Sequence, residues 1–312
     1  MNDAPPRFDP GRPSWRSLSL ISALARVGAT LREYALLMRL HRPIGIWLLM
    51  WPMLWALWVA GDGHPDPRTF IVFMLGTLIM RSAGCVMNDY ADRDLDPFVA
   101  RTKDRPLAAR RVSPTEALLL FLVLCLLAVG LLFTLSPLAQ LYAVIGGALT
   151  VSYPFLKRFF PVPQFYLGAA FGIAVPMAFA AQNGVVPKLA WVIFCAAVLW
   201  AGVYDTEYAM VDREDDKKLG IKSSAILFGD ADRVLIAVMQ AMVLFALVLV
   251  GREMHYGYWY QAGLVAAGIC SLWQQWLIRK REPEACFRAF NNNNYFGMLV
   301  FIGILLHYTF AG

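Results

Sequence analysis

Nine long apolar stretches dominate this chain and leave few folds open to it. Each runs for about 16 to 21 residues, close to the length that an α-helix needs to cross the hydrocarbon core of a bilayer. Charged residues make up only 16% of the chain, against about 25% in soluble proteins. We therefore predict an all-α integral membrane protein with nine transmembrane helices. The stretches are residues 44–60, 69–87, 117–135, 138–156, 164–182, 189–204, 232–250, 258–278 and 295–311.

Positive charges are distributed unevenly between the connections that join these stretches. The N-terminal segment and every second connection after it carry 24 of the 28 Lys and Arg residues, whereas the connections on the other side carry three. Because Lys and Arg accumulate on the cytoplasmic side of membrane proteins, we expect the N-terminus in the cytoplasm and the C-terminus outside. The same asymmetry explains the net charge of +6 without a nucleic-acid partner.

The N-terminal segment is expected to lie on the membrane surface. We assign residues 1–38 to a cytoplasmic extension with an amphipathic surface helix inside residues 18–40, and residues 39–312 to the membrane domain. A secretory signal is not expected, because no apolar core precedes a small-residue cleavage site. Asp3, Asp9 and Glu33 interrupt the basic run, which favours the bacterial inner membrane over the mitochondrial inner membrane.

The hydrophilic segment after the second stretch carries a regular series of polar side chains. It reads NDYADRDLD over residues 88–96, so Asn88, Asp92 and Asp96 stand four residues apart. At 100° per residue, these three side chains form one stripe on a helix that continues out of the membrane.

A second acidic segment follows the sixth stretch. Asp205, Asp212 and Asp216 are spaced by seven and four residues and also share one helix face. Each segment ends in a pair of Asp residues with three residues between them, and each begins at the cytoplasmic end of an even-numbered stretch. This arrangement is typical of an internal repeat, and it predicts two equivalent helix ends that face each other across a central cavity.

The negative charges of carboxylates at this density, in a chain with few charged residues, need positive charges to balance them. Asp pairs without His or Cys favour Mg²⁺, which keeps few protein ligands and takes oxygens from substrate phosphates as the others. The sequence therefore predicts a magnesium and diphosphate site, and the spacing of Gly and Glu excludes a calcium-binding EF-hand. Cations that could hold the remaining phosphate charge are Arg101, Lys103, Lys157 and Arg158.

These motifs resemble those of the UbiA superfamily of intramembrane aromatic prenyltransferases. The likeness rests on NDYADRDLD followed by RTKDRPL at 101–107, and on YAMVDREDD at 208–216 followed by GIKSSA at 220–225. HRPIG at 41–45, LLMWP at 48–52 and YDTEYA at 204–209 are similar to the 4-hydroxybenzoate polyprenyltransferases of ubiquinone synthesis within that superfamily. The resemblance extends from about residue 39 to the C-terminus and implies nine transmembrane helices and a requirement for Mg²⁺.

Carried over by position, the resemblance implies roles for individual side chains. Asn88, Asp92 and Asp96 would form one metal-diphosphate face and Asp212 and Asp216 the other, with Asp92, Asp96, Asp212 and Asp216 as the metal ligands. The residues that match those holding the diphosphate in the family are Arg101, Tyr153 and Lys157.

Two further residues are candidates for the acceptor half of the reaction. Asp205 projects one to two turns deeper into the membrane than Asp212, and we expect it to orient or deprotonate the phenol. Arg81 is the one cation that lies away from the ends of a predicted span. A charge there needs a partner, so we expect Arg81 to bind the carboxylate of the aromatic acid; diphosphate and a structural ion pair with Asp205 are the alternatives.

Three other polar or aromatic groups are expected to be structural. His41 and Arg42 would anchor the chain at the membrane surface, and the Trp series of the first span would pack in the core or form an interfacial belt. The run from Asn291 to Asn294 is expected to be a polar cap or turn before the last span.

The resulting functional hypothesis is transfer of a polyprenyl chain from polyprenyl diphosphate to the ring carbon ortho to the hydroxyl of 4-hydroxybenzoate. We expect the chain to lie in the lipid bilayer and to need no obligate protein partner. Naphthoate, homogentisate and haem remain alternative acceptors. A cation-coupled secondary transporter is a less favoured alternative, because the acidic stripes lie at one membrane face rather than at the midplane.

Overall fold

The computed structural model describes residues 20–98, 102–156, 163–219 and 223–310, and these ranges contain α-helices, short 3-10 turns and no strand. The predicted all-α fold is therefore confirmed. The helices are α1 (Leu20–Leu37), α2 (Ile44–Ala60), α3 (Pro67–Asp92), α4 (Pro114–Leu132), α5 (Pro137–Leu156), α6 (Pro163–Gly172), α7 (Ala174–Asn183), α8 (Lys188–Leu219), α9 (Ser224–Phe228), α10 (Asp232–Glu253), α11 (Tyr258–Leu277) and α12 (Pro283–Phe310).

Within the described ranges, six helical segments are long and apolar enough to cross a membrane. They correspond to six of the nine predicted spans, and the chain is a multi-pass membrane protein. The three other predicted spans form α2, α11 and α12, whose membrane crossing remains a prediction. The six segments are Pro67–Asp92, Pro114–Leu132, Pro137–Phe155, Pro163–Asn183, Lys188–Glu214 and Ser224–Glu253.

Local sequence signals set the helix ends. Asp66 caps α3, because its side chain accepts a hydrogen bond of 2.7 Å from the Thr69 backbone N–H. Ser113 and Glu116 form a reciprocal capping box at the start of α4. The predicted span 164–182 is divided at Ile173 into α6 and α7. Pro176 lacks the N–H that would bond to the Gly172 carbonyl, so the helix is interrupted there.

The main core lies where α2, α8 and α12 meet. Trp55 and Trp200 are almost completely buried, and their rings lie 5.4 Å apart. Trp51 packs beside them against Gly297, where a Cβ atom would come within 2.5 Å of the Trp51 ring. The expectation that the Trp series serves packing is confirmed for Trp51 and Trp55.

The run from Asn291 to Asn294 is not a cap or turn, as expected from the sequence, but lies inside α12. Three of its four amides, those of Asn292, Asn293 and Asn294, bind side chains of other helices. Trp200 Nε1 donates a hydrogen bond of 2.9 Å to Asn293, and Trp51 Nε1 donates one of 2.9 Å to Asn294. The run is helical because these interhelical hydrogen bonds satisfy amides that would otherwise favour a turn.

Helix α1 lies within the range predicted for the amphipathic helix. Its exposed face includes Val27 and Leu31, whereas Tyr34 and Leu37 pack against α3 and α4. Glu33 accepts a hydrogen bond of 2.8 Å from Arg111, which ties α1 to the segment before α4. Residues 1–19 lie outside the described part of the chain.

Candidate active site

A cavity of about 1100 Å³ is enclosed mainly by α2, α3, α4, α5, α6, α7 and α8. It brings together eight of the ten side chains to which the sequence analysis assigned a role at the site, including members of both acidic segments. Of the cations considered for the phosphate charge, Arg101, Lys157 and Arg158 lie outside the described residues, whereas Lys103 is exposed and does not border the cavity. The cavity wall includes Arg81, Asn88, Asp92, Asp96, Tyr153, Asp205, Asp212 and Asp216.

The second acidic segment is helical throughout. α8 continues from Lys188 to Leu219, about four turns beyond the end of the predicted span at residue 204. Asp205, Asp212 and Asp216 therefore share one face of one helix, as predicted, and that face borders the cavity. At 1.5 Å per residue, Asp205 lies about 10 Å from Asp212 along the helix axis, on the side nearer the start of α8.

The first acidic segment differs from its prediction at Asp96. α3 ends at Asp92, and Asp96 begins a separate 3-10 turn, so the stripe does not continue on one helix. Pro97 explains the break, because proline disfavours the helical conformation of the residue before it. Asn88 and Asp92 do remain on α3, where Asn88 Nδ2 donates a hydrogen bond of 3.2 Å to Asp92 Oδ2.

An ion-pair network that the sequence analysis missed holds this turn against α3. Arg105 Nη1 lies 2.8 Å from Asp96 Oδ2 and 3.1 Å from Asp89 Oδ1. Arg39 Nη2 lies 2.5 Å from the same oxygen of Asp89, which is almost fully buried. Burial raises the pKa of Asp96, while the neighbouring Arg105 guanidinium opposes that shift. Burial also opposes the charge of Arg39, but the charge and hydrogen bond of Asp89, together with Cys85 and Tyr208, raise the pKa of the guanidinium above its ordinary value.

The network could have been anticipated in part from two signals. Asp89 stands next to Asn88 in the first acidic segment, on a different face of the helix, and Arg105 lies in the basic motif that follows. His41 and Arg42, which were expected only to anchor the chain, also border the cavity. They stand three and two residues before the start of α2 at Ile44, which places them at the cavity wall.

The donor atoms at the cavity are suited to a hard divalent cation. They are the amide oxygen of Asn88 and carboxylates from both acidic segments. Among the residues that the structure describes, no three His, Cys, Asp or Glu side chains form a preassembled metal centre. Donors divided between two cavity walls fit Mg²⁺, which needs only one or two protein carboxylates when water and phosphate oxygens complete its shell.

Arg81, Tyr153 and Asp205 lie in the part of the cavity that is enclosed by spans. Arg81 is half-buried on α3, and its Nη1 donates a hydrogen bond to the Cys85 sulfur. Tyr153 on α5 interacts electrostatically with Asp92, Asp205 and Arg81. Tyr153 thus lies near members of both acidic segments and near Arg81.

Comparison with known proteins agrees with this architecture. Residues 49–302 match the UbiA prenyltransferase family. A 4-hydroxybenzoate octaprenyltransferase of Alkalilimnicola ehrlichii is 55% identical over 280 residues, covering 90% of this chain and 96% of the relative. Another protein of that name from Nitrosococcus oceani is 56% identical over 278 residues, covering 89% of this chain and 98% of the relative.

Solved structures share the fold at lower sequence identity. A UbiA homologue from Aeropyrum pernix superimposes with a TM-score of 0.74 at 22% identity, covering 84% of this chain and 97% of that chain. A UbiA homologue from Archaeoglobus fulgidus, bound to GPP and Mg²⁺, gives a TM-score of 0.67 at 18% identity and covers 88% of this chain and 99% of that chain. The family match and the close relatives together establish that this chain belongs to the UbiA prenyltransferase family.

Proposed function

We propose that this chain transfers a polyprenyl chain from polyprenyl diphosphate to the ring carbon ortho to the hydroxyl of 4-hydroxybenzoate, in ubiquinone biosynthesis. The observation that carries the proposal is the meeting of two acidic segments at one membrane-embedded cavity in a UbiA-family chain. The names of its relatives support the acceptor, since proteins more than 50% identical over most of the chain are 4-hydroxybenzoate octaprenyltransferases.

The diphosphate end of the substrate is assigned to the acidic segments. Asn88, Asp92 and Asp96 form one face of the site, and Asp212 and Asp216 form the other, with the four carboxylates as metal ligands. Bound Mg²⁺ supplies Lewis-acid stabilisation of the departing diphosphate. The complex of the Archaeoglobus homologue with GPP and Mg²⁺ supports this assignment. Tyr153, Arg101 and Lys157 are proposed to hold the diphosphate oxygens.

The acceptor is assigned to the deeper part of the cavity. Arg81 binds the benzoate carboxylate and so orients the ring, and Asp205 orients or deprotonates the phenol. The bond between the allylic carbon and the diphosphate oxygen breaks, and the ortho ring carbon forms the new carbon–carbon bond. Loss of the proton from this ring carbon restores aromaticity. Asp205, which orients or deprotonates the phenol, is the proposed proton acceptor.

The membrane arrangement follows from the charge asymmetry. We propose nine spans in the bacterial inner membrane, with the N-terminus and the acidic segments on the cytoplasmic side and residues 1–38 as an extension of the catalytic domain 39–312. In this orientation, the diphosphate site faces the compartment with the excess of Lys and Arg.

Product formation by the purified protein in lipid vesicles tests the proposal. Radiolabelled 4-hydroxybenzoate and octaprenyl diphosphate are supplied with Mg²⁺ or with EDTA, and label in the lipid phase is measured. The proposal predicts lipid-soluble label only with Mg²⁺. Parallel assays replace 4-hydroxybenzoate with a naphthoate or homogentisate.

Each alternative outcome has a definite meaning. Transfer only to naphthoate or homogentisate would overturn the acceptor assignment and retain the diphosphate site. Equal transfer with EDTA would overturn the metal requirement. Flux of substrate across sealed vesicles without any product would replace the enzyme with a transporter.

A further inference from the structure

Gly45 on α2 lies directly against the guanidinium of Arg81 on α3. A Cβ atom at position 45 would lie 2.6 Å from Arg81 Nε and 2.8 Å from Cζ, and it would also overlap Nη2. Separations below 3.0 Å are too short for a Cβ atom, so a residue with a side chain cannot occupy position 45 unless Arg81 moves. Glycine therefore permits this close approach, since any side chain at position 45 would push the flexible end of Arg81 aside.

The guanidinium is held from two directions. Its Nε and Nη2 side faces the Gly45 backbone, and Nη1 donates the hydrogen bond to Cys85 Sγ, one turn further along α3. Gly45, Arg81 and Cys85 all border the cavity. A planar guanidinium with its orientation fixed in this way can present its remaining N–H edge to an anion in a single geometry.

We propose that Gly45 is a positioning residue for recognition of the acceptor's carboxylate. This inference rests on the proposed function, in which Arg81 binds that carboxylate. By leaving room for the guanidinium beside α2, Gly45 fixes the direction from which the aromatic acid is held. The selectivity for a carboxylate over a neutral substituent at this ring position therefore depends on a residue that has no side chain.

Gly45→Ala is the most direct variant, because a single methyl group displaces the flexible end of Arg81 without adding a polar group. Loss of a well-aligned hydrogen bond to a charged partner changes binding by about tenfold to a hundredfold. We expect the KM for 4-hydroxybenzoate to rise by about tenfold or more, while the KM for the diphosphate stays within about twofold. The preference for 4-hydroxybenzoate over 4-hydroxybenzamide, which lacks the charge, should fall by a similar factor.

Gly130→Ala is the matched control. Gly130 lies inside α4, outside the cavity wall, and a Cβ atom there would meet no atom within 4 Å. The control makes the same chemical change in a helix and should leave both KM values and the acid-to-amide preference unchanged. An equal change in both variants would overturn the inference.

A double-mutant cycle separates a positioning role from a purely structural one. In an Arg81→Lys background, the guanidinium that touches Gly45 is absent, so adding Gly45→Ala should change the KM for the acid little further. Fully additive effects would overturn the inference, because Gly45 would then act independently of Arg81. If Gly45→Ala alone fails to fold, Arg81→Lys should restore folding by shortening the overlapping group, and failure to do so would also count against the inference.

Equilibrium binding of labelled 4-hydroxybenzoate distinguishes this failure from failure of the proposed function. If the unmodified protein binds and prenylates the acid, but Gly45→Ala keeps the full preference for acid over amide, the inference alone is wrong. If the unmodified protein neither binds nor prenylates the acid, the proposed function is wrong and this inference falls with it.

Discussion

Arg105 donates a hydrogen bond of 2.8 Å from Nη1 to the carboxylate of Asp96, nine residues earlier in the chain. Through this contact, the segment after α3 folds back on the acidic turn that borders the cavity. Since Asp96 is only 6% exposed, its charge depends on this partner. Arg105, which is not among the residues predicted to hold the diphosphate, thus fixes the position of Asp96, a proposed metal ligand.

Arg105→Ala should destabilise the protein and reduce its activity. Removing a charged donor from a buried acceptor costs about 1 to 3 kcal/mol, and Asp89 would also lose one of its two Arg partners. We expect a lower Tm in detergent and a higher concentration of Mg²⁺ for half-maximal turnover. Arg252→Ala, at an exposed position in the last turn of α10, is the control and should change neither. An unchanged Tm and Mg²⁺ requirement in Arg105→Ala would show that the network is unimportant.

Glu207 is expected to tolerate replacement by Gln but not by Ala. Its side chain is fully buried between α8 and α12, and Oε2 accepts a hydrogen bond of 2.7 Å from Asn293 Nδ2. Gln keeps this acceptor and removes an ionisable group from the membrane interior, whereas Ala leaves a void and costs about 2 kcal/mol or more. Thermal unfolding in detergent measures the difference. A Gln variant as unstable as the Ala variant would mean that the carboxyl itself is needed.

The cap of α3 should weaken in acid. Hydrogen bonds from the Thr69 backbone and hydroxyl lower the pKa of Asp66. Because the pKa is lower in the folded state than in the unfolded state, the cap contributes its full stability above the unfolded value of about 3.9 and loses it as the pH falls through the folded value. Tm measured from about pH 6 downwards should therefore fall more for the unmodified protein than for Asp66→Asn, which retains the acceptor oxygen. Parallel pH dependences in the two proteins would contradict this account.

Regular spacing made much of this architecture predictable. Apolar stretches of membrane-spanning length predicted the helices, and the spacing of Asp205, Asp212 and Asp216 correctly predicted a shared face because α8 is unbroken through all three. The same argument failed at Asp96, where Pro97 ends the regular helix before the stripe is complete.

Contacts between distant segments could not be predicted in this way. The pairing of Arg39 with Asp89 joins residues 50 positions apart, and Gly45 meets Arg81 only when α2 packs against α3. The Asn run was misinterpreted because its hydrogen-bond partners, such as Trp51 and Trp200, lie on other helices. Local periodicity carries no information about such partners.

Asp92 on α3 and Asp212 on α8 are proposed to act on the same diphosphate. The most direct test of this proposal is turnover of Asp92→Asn and Asp212→Asn with saturating substrates and Mg²⁺, beside Asp94→Asn, whose side chain is 80% exposed. Loss of stabilisation for a departing anion costs about a hundredfold or more in rate. We predict such a loss in both site variants, with an unchanged Tm, and near-normal turnover in Asp94→Asn. Retention of most activity in either Asp92→Asn or Asp212→Asn would contradict the two-sided metal-diphosphate site.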